Sequence, residues 1–222
     1  MKNYLNKIER KIRGFFLTKE EKFYENFFVH NPEWNNCNPN ADEMDRWNTI
    51  RQLIPDSNKT IRILEVGCGR GWMTNLLSQY GNAEGIDPVK GVIRHAKRLY
   101  PKISFQSGYI DKLTKAGKKF NLIVASEVIE HIPHNLKNNF ISDLNTLLLT
   151  DGFLIITTPR KEALNEREEH SNQPIEDWLT EAELEEVIIR NNFEVLNHIR
   201  ITPSYINPPV ELYQAWLVKK IS

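Results

Sequence analysis

Two carboxylates and one imidazole lie close together in the segment SEVIEHIPH, residues 126–134. If a helix begins at Glu127, then Glu130 and His131 follow three and four residues later and share one face with it. Such a group can ligate a divalent metal ion such as Mg²⁺. Alternatively, His131 alone can act as a general base, because an imidazole titrates near neutral pH. Both interpretations stay open, although two neighbouring carboxylates without a cation would repel each other and raise one pKa.

A glycine-rich turn, EVGCGRG at residues 65–71, follows a short apolar run and precedes a helical pattern. Glycines in the first βα turn of an open α/β sheet let the backbone approach a ligand closely. Gly67, Gly69 and Gly71 supply this turn. The next apolar run ends at Asp87, whose carboxylate can accept hydrogen bonds from both hydroxyls of a ribose. These residues predict a nucleoside-containing cofactor.

The glycine spacing separates this cofactor from a dinucleotide. Nicotinamide-dependent oxidoreductases use G-x-G-x-x-G to hold a pyrophosphate, whereas the turn here reads G-x-G-x-G. A non-catalytic nucleoside-binding module would keep the glycine turn but has no need of the carboxylates and imidazole of residues 127–131. The retained acid and base groups therefore favour an enzyme.

Alternating strand and helix patterns must position these groups. This alternation predicts an α/β fold with a parallel sheet and helices on both faces. No helix separates the last two strand patterns, so they are expected to pair as an antiparallel hairpin at the sheet edge. The predicted strands are 61–66, 83–87, 103–106, 120–125, 152–158, 193–201 and 210–220, and the predicted helices are 41–53, 71–80, 89–100, 136–148 and 180–191.

The composition agrees with a folded α/β domain. The chain has 222 residues, 40% of them hydrophobic, and its 29 Lys and Arg balance 29 Asp and Glu. This composition excludes disorder and coiled coil, and neutrality removes the simplest electrostatic argument for long nucleic acid. Cys37 and Cys68 are too few for a disulfide framework, and no apolar stretch is long enough to span a membrane. A cytoplasmic protein is therefore expected.

The first sixteen residues carry apolar positions at helical spacing among five basic residues. This pattern predicts a basic amphipathic helix. Such a helix either packs on the main domain or a second subunit, or makes a weak contact with an anionic membrane surface. The oligomeric state is not predicted by the sequence.

Four ordered motifs resemble a known family. EVGCGRG, GIDP, FNLIVASEVIEHI (120–132) and LNTLLLTDGFLIITTP (144–159) are similar to the successive motifs of class I S-adenosylmethionine-dependent methyltransferases. The resemblance covers about residues 61–201. It implies a Rossmann-like, seven-stranded, mostly parallel sheet with an antiparallel last strand. The methyltransferase domain would then occupy residues 57–222, and extra N-terminal helices in residues 1–56 would form a cap.

The family resemblance also assigns roles at the cofactor. It implies that S-adenosylmethionine binds with its methionine part near Glu65, Gly67, Gly69 and Gly71, its ribose on Asp87 and its adenine beside Pro88. Arg46, on the helix before the first strand, either pairs with the cofactor carboxylate or forms a surface ion pair. Ser126 and Glu127 would line the floor between cofactor and acceptor. Relatives often place an Asp after the third strand for the adenine amino group, whereas this chain has Tyr109 and Ile110 there. Asp111 or backbone carbonyls would have to replace that Asp.

The E-x-x-E-H segment resembles two groups within the family, the ubiquinone-type O-methyltransferases and the small-RNA 2′-O-methyltransferases. In the RNA enzymes, a further His follows the fifth strand and completes a metal site. His170 matches it here, between TTPR (157–160) and IEDWLT (175–180). The resemblance thus implies either a metal held by Glu127, Glu130, His131 and His170, or a metal-free site.

The expected reaction is methyl transfer to an oxygen of a small molecule or glycan, with a nitrogen as the second choice of acceptor atom. The alternative acceptor is the 3′-terminal ribose of an RNA. Acceptor recognition is expected from segments outside the βα pattern, because loops at one end of a sheet carry function. Three loops qualify: 31–40 with Trp34, 160–178, and 202–209 with Tyr205. The donors Arg160 and Lys161 are alternative partners for the two carboxylates.

Overall fold

The computed structural model describes residues 19–57, 59–166 and 173–221. The predicted basic helix and His170 lie outside these residues. The helices are α1 (Lys19–Glu25), α2 (Ala41–Leu53), α3 (Trp72–Leu77), α4 (Lys90–Leu99), α5 (Asp111–Lys115), α6 (His134–Leu147) and α7 (Glu181–Arg190), with a π-helical turn at Asn26–His30 and 3₁₀ turns at Ile129–His131 and Lys161–Glu166. The strands are β1 (Ile61–Val66), β2 (Gly81–Asp87), β3 (Ser104–Ser107), β4 (Phe120–Ser126), β5 (Leu148–Pro159), β6 (Phe193–Ile201) and β7 (Tyr213–Lys220).

The seven strands form one sheet in the order β3-β2-β1-β4-β5-β7-β6. Strands β1 to β5 pair in parallel, and β7 runs antiparallel to both β5 and β6. The predicted fold class and the terminal hairpin are therefore confirmed. The edge strand of the hairpin is β6, and β7 is inserted between β6 and β5. This order brings the carboxyl ends of β1, β2, β4 and β5 to one edge of the sheet.

Helices cover both faces of the sheet, and the central strands place apolar side chains on both faces. Adjacent residues of β1 show this, since Ile63 and Leu64 are fully buried in two different core clusters. Ile63 packs with side chains of α2 and α3, such as Ile50 and Leu77. Leu64 packs in the cluster that contains side chains of α6 and α7.

Two helix starts are defined by reciprocal capping boxes. Thr180 caps α7 together with Glu183, and Asn40 caps α2 together with Glu43. Strand β5 begins four residues earlier than predicted, at Leu148, with an irregularity in its pairing to β4. Among the described residues, no helix is both long and apolar enough to cross a bilayer.

Candidate active site

A cavity of about 540 Å³ lies at the carboxyl edge of the central strands. Ligands of open α/β sheets bind at this edge. Most of the predicted site residues line the cavity: Arg46, Glu65, Gly67, Gly69, Asp87, Pro88, Ser126, Glu127, Glu130 and His131. The structure thus brings seven of the ten predicted cofactor residues and the E-x-x-E-H segment to one place.

Three predicted cofactor residues do not line the cavity, and these assignments need correction. Tyr109 is 67% exposed and lies outside the cavity lining. Ile110 immediately precedes α5 and is buried in the core with Leu113. Gly71 packs away from the cavity, because a Cβ added there would lie 2.5 Å from the Phe105 ring. Gly71 therefore serves helix packing behind the turn.

The glycine turn has no room for a side chain at its first position, Gly67. Gly67 has a φ of +69°, and an added Cβ would lie 2.5 Å from Val128 Cγ2. Its N–H and the N–H of Cys68 both donate to the Ile86 carbonyl, at 2.9 and 3.1 Å. The end of β2 thus holds the turn, and the turn exposes bare backbone to the cavity.

Asp87 stands beside this turn at the end of β2. Its carboxylate accepts from the N–H of Gly69 at 3.2 Å and from the N–H of Val89 at 2.8 Å. Burial raises the pKa of Asp87 to about 6, against the lowering effect of these two hydrogen bonds. Each carboxylate oxygen has a second lone pair. The ionised group can therefore also accept hydrogen bonds from a ligand's hydroxyls.

Two buried ionisable side chains, Glu65 and Arg46, flank the other side of the glycine turn. Thr74 donates to Glu65, and Asp42 accepts from the Arg46 guanidinium, which lies 5.0 Å from the centroid of the Tyr213 ring. The Nε of Arg46 is buried and has no hydrogen-bond partner. Arg46 is therefore part of the cavity wall rather than a surface ion pair. An ammonium and a carboxylate on one ligand would satisfy Glu65 and Arg46 together.

The raised pKa of Glu65 makes the stability of the protein depend on pH. Burial raises its pKa from 4.5 to about 8. Between pH 4.5 and about pH 8, Glu65 is protonated in the folded protein and loses its proton on unfolding. The free energy of unfolding therefore falls as the pH rises through this range. Urea unfolding at pH 5 to 8 measures this slope. In Glu65→Gln the free energy of unfolding should fall less steeply with pH than in the parent protein, by up to about 1.4 kcal/mol per pH unit. Equal slopes for Glu65→Gln and the parent protein would contradict this assignment.

The E-x-x-E-H segment is not one helix, and that prediction is wrong. The N–H of Glu127 donates to the Thr157 carbonyl at 2.9 Å, which extends the pairing of β4 with β5 by one residue. Glu127 then turns the chain with a φ of +55°, and only residues 129–131 form a short 3₁₀ turn. The three side chains share the cavity because the strand end and the 3₁₀ turn both face it, not because of helical spacing.

Hydroxyls from β5 hold the two carboxylates. Thr157 Oγ1 donates to Glu127 Oε1 at 2.9 Å, and Thr158 Oγ1 donates to Glu130 Oε2 at 3.0 Å. Burial raises the pKa of both carboxyls, and repulsion from Glu130 raises that of Glu127 further. The predicted donors Arg160 and Lys161 follow the end of β5 and do not line the cavity. They form ion pairs with two acids of α7, Glu181 and Glu183.

His131 has a defined tautomer. Its Nδ1 lies 2.9 Å from the Ile175 carbonyl, which can only accept, so Nδ1 carries the proton. The lone pair is therefore on Nε2, which lies 3.8 Å from Glu130 Oε1. Burial lowers the pKa of the imidazole. A neutral imidazole with a free lone pair beside a carboxylate is suited to accept a proton and to have the resulting charge stabilised.

The described residues do not fit a metal. No group of three or more His, Cys, Asp or Glu side chains in this part of the chain is arranged to hold a cation. Glu127 and Glu130 are each bonded to a threonine hydroxyl, and the fourth predicted ligand, His170, lies outside the described residues. We therefore derive no step through a metal ion.

An aromatic wall borders the cavity, and of its three residues the sequence analysis identifies only Trp34. We use this name for Phe27, Phe28 and Trp34, which line the cavity. The rings of Phe27 and Trp34 are 4.5 Å apart, and those of Tyr24 and Phe28 are 6.3 Å apart. The available signal was the run FYENFF at 23–28, whose aromatic residues recur four positions apart.

The three predicted acceptor loops differ in their outcome. Trp34 in the first loop lines the cavity, and Gln173, Glu176 and Trp178 from the second loop also line it. Tyr205 in the third loop does not, because its hydroxyl donates to Asp42 at 3.0 Å and holds that loop against α2.

The sequence matches a known family over most of its length. The sequence model of the methyltransferase domain family matches residues 42–200. The ubiquinone biosynthesis O-methyltransferase of Azorhizobium caulinodans is 30% identical over 105 residues, which are 45% of this chain and 41% of that protein. The mitochondrial enzyme of the same name from Bos taurus is 35% identical over 114 residues, which are 47% and 30% of the two chains. The chain thus matches less than half the length of these two relatives.

Solved structures share the fold. The N-methyltransferase NodS from Bradyrhizobium japonicum, in complex with S-adenosylhomocysteine, superposes with a TM-score of 0.72 at 17% identity, covering 92% of this chain and all of that one. Magnesium protoporphyrin IX methyltransferase from Synechocystis, with bound S-adenosylmethionine, gives a TM-score of 0.66 at 14% identity, covering 93% and 100%. With the family match, these findings show that the chain belongs to the class I S-adenosylmethionine-dependent methyltransferases.

Proposed function

We propose that this chain transfers the methyl group of S-adenosylmethionine to a hydroxyl of a small molecule, with His131 as the general base. The observation that carries this proposal is the Nδ1 hydrogen bond to the Ile175 carbonyl at 2.9 Å, which leaves a lone pair on Nε2 inside the cofactor cavity. The curated relatives named as O-methyltransferases support an oxygen acceptor.

The cofactor residues fit S-adenosylmethionine. Asp87 accepts the ribose hydroxyls, the backbone of the glycine turn receives the methionine part, and Pro88 borders the adenine. Arg46 Nε donates to the amino-acid carboxylate, and Glu65 accepts from the ammonium. Both groups are buried, which makes an unpaired state costly and a ligand of this charge pattern favourable.

The bound cofactor supplies an electrophilic methyl group on a sulfonium. His131 Nε2 takes the hydroxyl proton as the acceptor oxygen bonds to the methyl carbon and the bond from that carbon to sulfur breaks. Glu130 Oε1, 3.8 Å from Nε2, stabilises the imidazolium that forms. The chain mainly holds oxygen and methyl in line, which is the largest requirement of a displacement.

The acceptor pocket is formed by the N-terminal segment. Residues 19–56 supply the aromatic wall and Tyr24, whose ring centroid lies 5.7 Å from that of His131. We propose that residues 19–56 form a cap on the catalytic domain that follows them in the chain. Aromatic side chains on one side and carboxylates on the other fit a flat molecule that carries hydroxyls.

The reaction is tested by incubating the chain with S-adenosylmethionine and a panel of phenols, sugars, amines and an RNA with a free 3′ end. We expect release of S-adenosylhomocysteine with the hydroxyl-bearing small molecules, and a methyl ether detected by mass spectrometry. Cofactor binding without turnover on any acceptor would instead favour a nucleoside-binding module. Turnover on amines alone would contradict the oxygen acceptor.

Arg46 provides a prediction about cofactor selectivity. Arg46→Met should weaken binding of S-adenosylhomocysteine about ten- to hundredfold, because one charge-assisted hydrogen bond is lost. Binding of methylthioadenosine, which lacks the amino acid, should change little. Arg62→Met is the matched control, since Arg62 packs over Phe120 outside the cavity. Equal weakening of both ligands would show that Arg46 acts on the fold and not on the carboxylate.

A further inference from the structure

Arg70, in the middle of the glycine turn, has no role in the chemistry described above. Its side chain is only 1% exposed. The guanidinium forms a two-pronged ion pair with Glu43 of α2, at 2.5 and 2.7 Å. It also donates to two backbone carbonyls, those of Asn36 at 2.8 Å and Asn38 at 3.0 Å. All of its partners lie N-terminal to the methyltransferase strands.

The loop that Arg70 contacts, residues 35–38, is held by side chains that donate hydrogen bonds to its backbone carbonyls. Between the two carbonyls bonded to Arg70, the carbonyl of Cys37 accepts from the Tyr100 hydroxyl at 2.8 Å. The carbonyl of Asn35 accepts from His95 Nε2 at 2.7 Å. Four consecutive carbonyls, at residues 35–38, therefore each accept from a side chain. Among the described residues, no backbone N–H donates to these four carbonyls, so the four side-chain donors satisfy them and hold the loop against the domain.

The same loop carries Trp34, one of the three residues of the aromatic wall. The Arg70 guanidinium lies 5.7 Å from the centroid of the Trp34 ring, which in turn contacts Phe27 at 4.5 Å. Phe28 lies directly against the glycine turn, since a Cβ added to Gly69 would meet its ring at 3.3 Å. Arg70 thus connects the backbone that faces the cofactor to the side chains that face the acceptor.

We propose that Arg70 is a positioning residue that holds the aromatic wall in register with the bound cofactor. Its backbone belongs to the turn that receives the cofactor, and its side chain holds the loop that carries Trp34. Cofactor binding therefore stiffens the acceptor pocket before the acceptor enters. This inference rests on the proposed function, because it assumes that the turn binds the cofactor.

The geometry requires an arginine. A planar guanidinium presents donors in a fork that reaches the Glu43 carboxylate and two carbonyls at once. A lysine ammonium would keep the charge opposite Glu43 but would not span the carbonyls of Asn36 and Asn38. Arg70→Lys therefore separates charge from geometry. Tyr100→Phe is the matched control, because it removes one loop donor and leaves the glycine turn intact.

The test is amide hydrogen exchange with and without saturating S-adenosylhomocysteine, read at residues 67–71 and at residues 33–39. In the parent protein the ligand should slow exchange in both segments. In Arg70→Lys it should still slow exchange at 67–71, while its effect at 33–39 falls at least about tenfold, the size expected for losing one charge-assisted hydrogen bond. Tyr100→Phe should exchange faster at 33–39 in both states and keep the ligand-dependent slowing.

The outcomes separate this inference from the proposed function. Undiminished slowing at 33–39 in Arg70→Lys would overturn the role of Arg70 and leave cofactor binding intact. No ligand effect at 67–71 in the parent protein would overturn both. If Arg70→Lys does not fold, Glu43→Gln replaces it, because glutamine keeps the capping box and weakens only the ion pair. A reduced ligand effect at 33–39 supports the proposal there, and an unchanged effect overturns it.

Discussion

His131→Asn is expected to lower the turnover number about 10²- to 10⁴-fold, the usual contribution of a positioned general base. Asparagine can keep an N–H toward the Ile175 carbonyl, so the local structure should persist. It removes the Nε2 lone pair, which is the only part of the residue that the proposed reaction uses. Affinity for S-adenosylhomocysteine should therefore stay within about threefold of the parent value.

The control for this substitution is His134→Asn. His134 lies three residues further along and pairs with Asp177 at 3.3 Å, and it does not line the cavity. Turnover should be unchanged in this variant. Equal turnover in His131→Asn and the parent protein, measured with the acceptor found in the panel, would show that another group takes the proton.

Asp87→Ala is expected to weaken binding of S-adenosylhomocysteine by about 100-fold or more, because two hydroxyl hydrogen bonds to a charged acceptor are lost. The substitution also removes the acceptor of the Gly69 and Val89 N–H groups, so the melting temperature has to be measured in parallel. Asp111→Ala is the matched control. Asp111 follows the neighbouring strand β3 but pairs with Lys115 outside the cavity, and its loss should leave affinity unchanged.

The pH dependence of binding tests the same carboxylate. The pKa of Asp87 is raised to about 6 by burial, and the ribose needs the ionised form. Affinity for methylthioadenosine, which avoids the amino-acid groups, should therefore fall as pH drops below that value, by up to about tenfold per pH unit. Asp87→Asn should bind weakly at every pH without this dependence. A parent affinity independent of pH from 5 to 8 would contradict the assignment of Asp87 to the ribose.

The strands and the cofactor turn could be predicted because their signals are local. Strand β1 is a short, mostly apolar run, and the predicted bounds of β1 and β6 agree with the observed ones. Gly67 and Asp87 end neighbouring parallel strands, and the topology of such sheets always brings those ends together.

Side-chain partners could not be predicted, since they depend on distant parts of the chain. Glu127 leaves the helical conformation because its N–H pairs with a residue 30 positions later. The sequence analysis assigns Tyr205 to a loop that recognises the acceptor, but its hydroxyl donates to Asp42, 163 positions away. The contacts of Arg70 to the loop that carries Trp34 have the same character. Sequence periodicity carries no information on such pairs.

The central claim is that the cavity binds S-adenosylmethionine, and calorimetric titration with S-adenosylhomocysteine tests it most directly. We expect one saturable site per chain, a loss of affinity in Asp87→Ala, and no binding of reduced nicotinamide dinucleotide. The same titration on metal-stripped protein with and without Mg²⁺ should give equal affinities. Absence of binding heat with S-adenosylhomocysteine, confirmed by an unchanged melting temperature, would contradict the account.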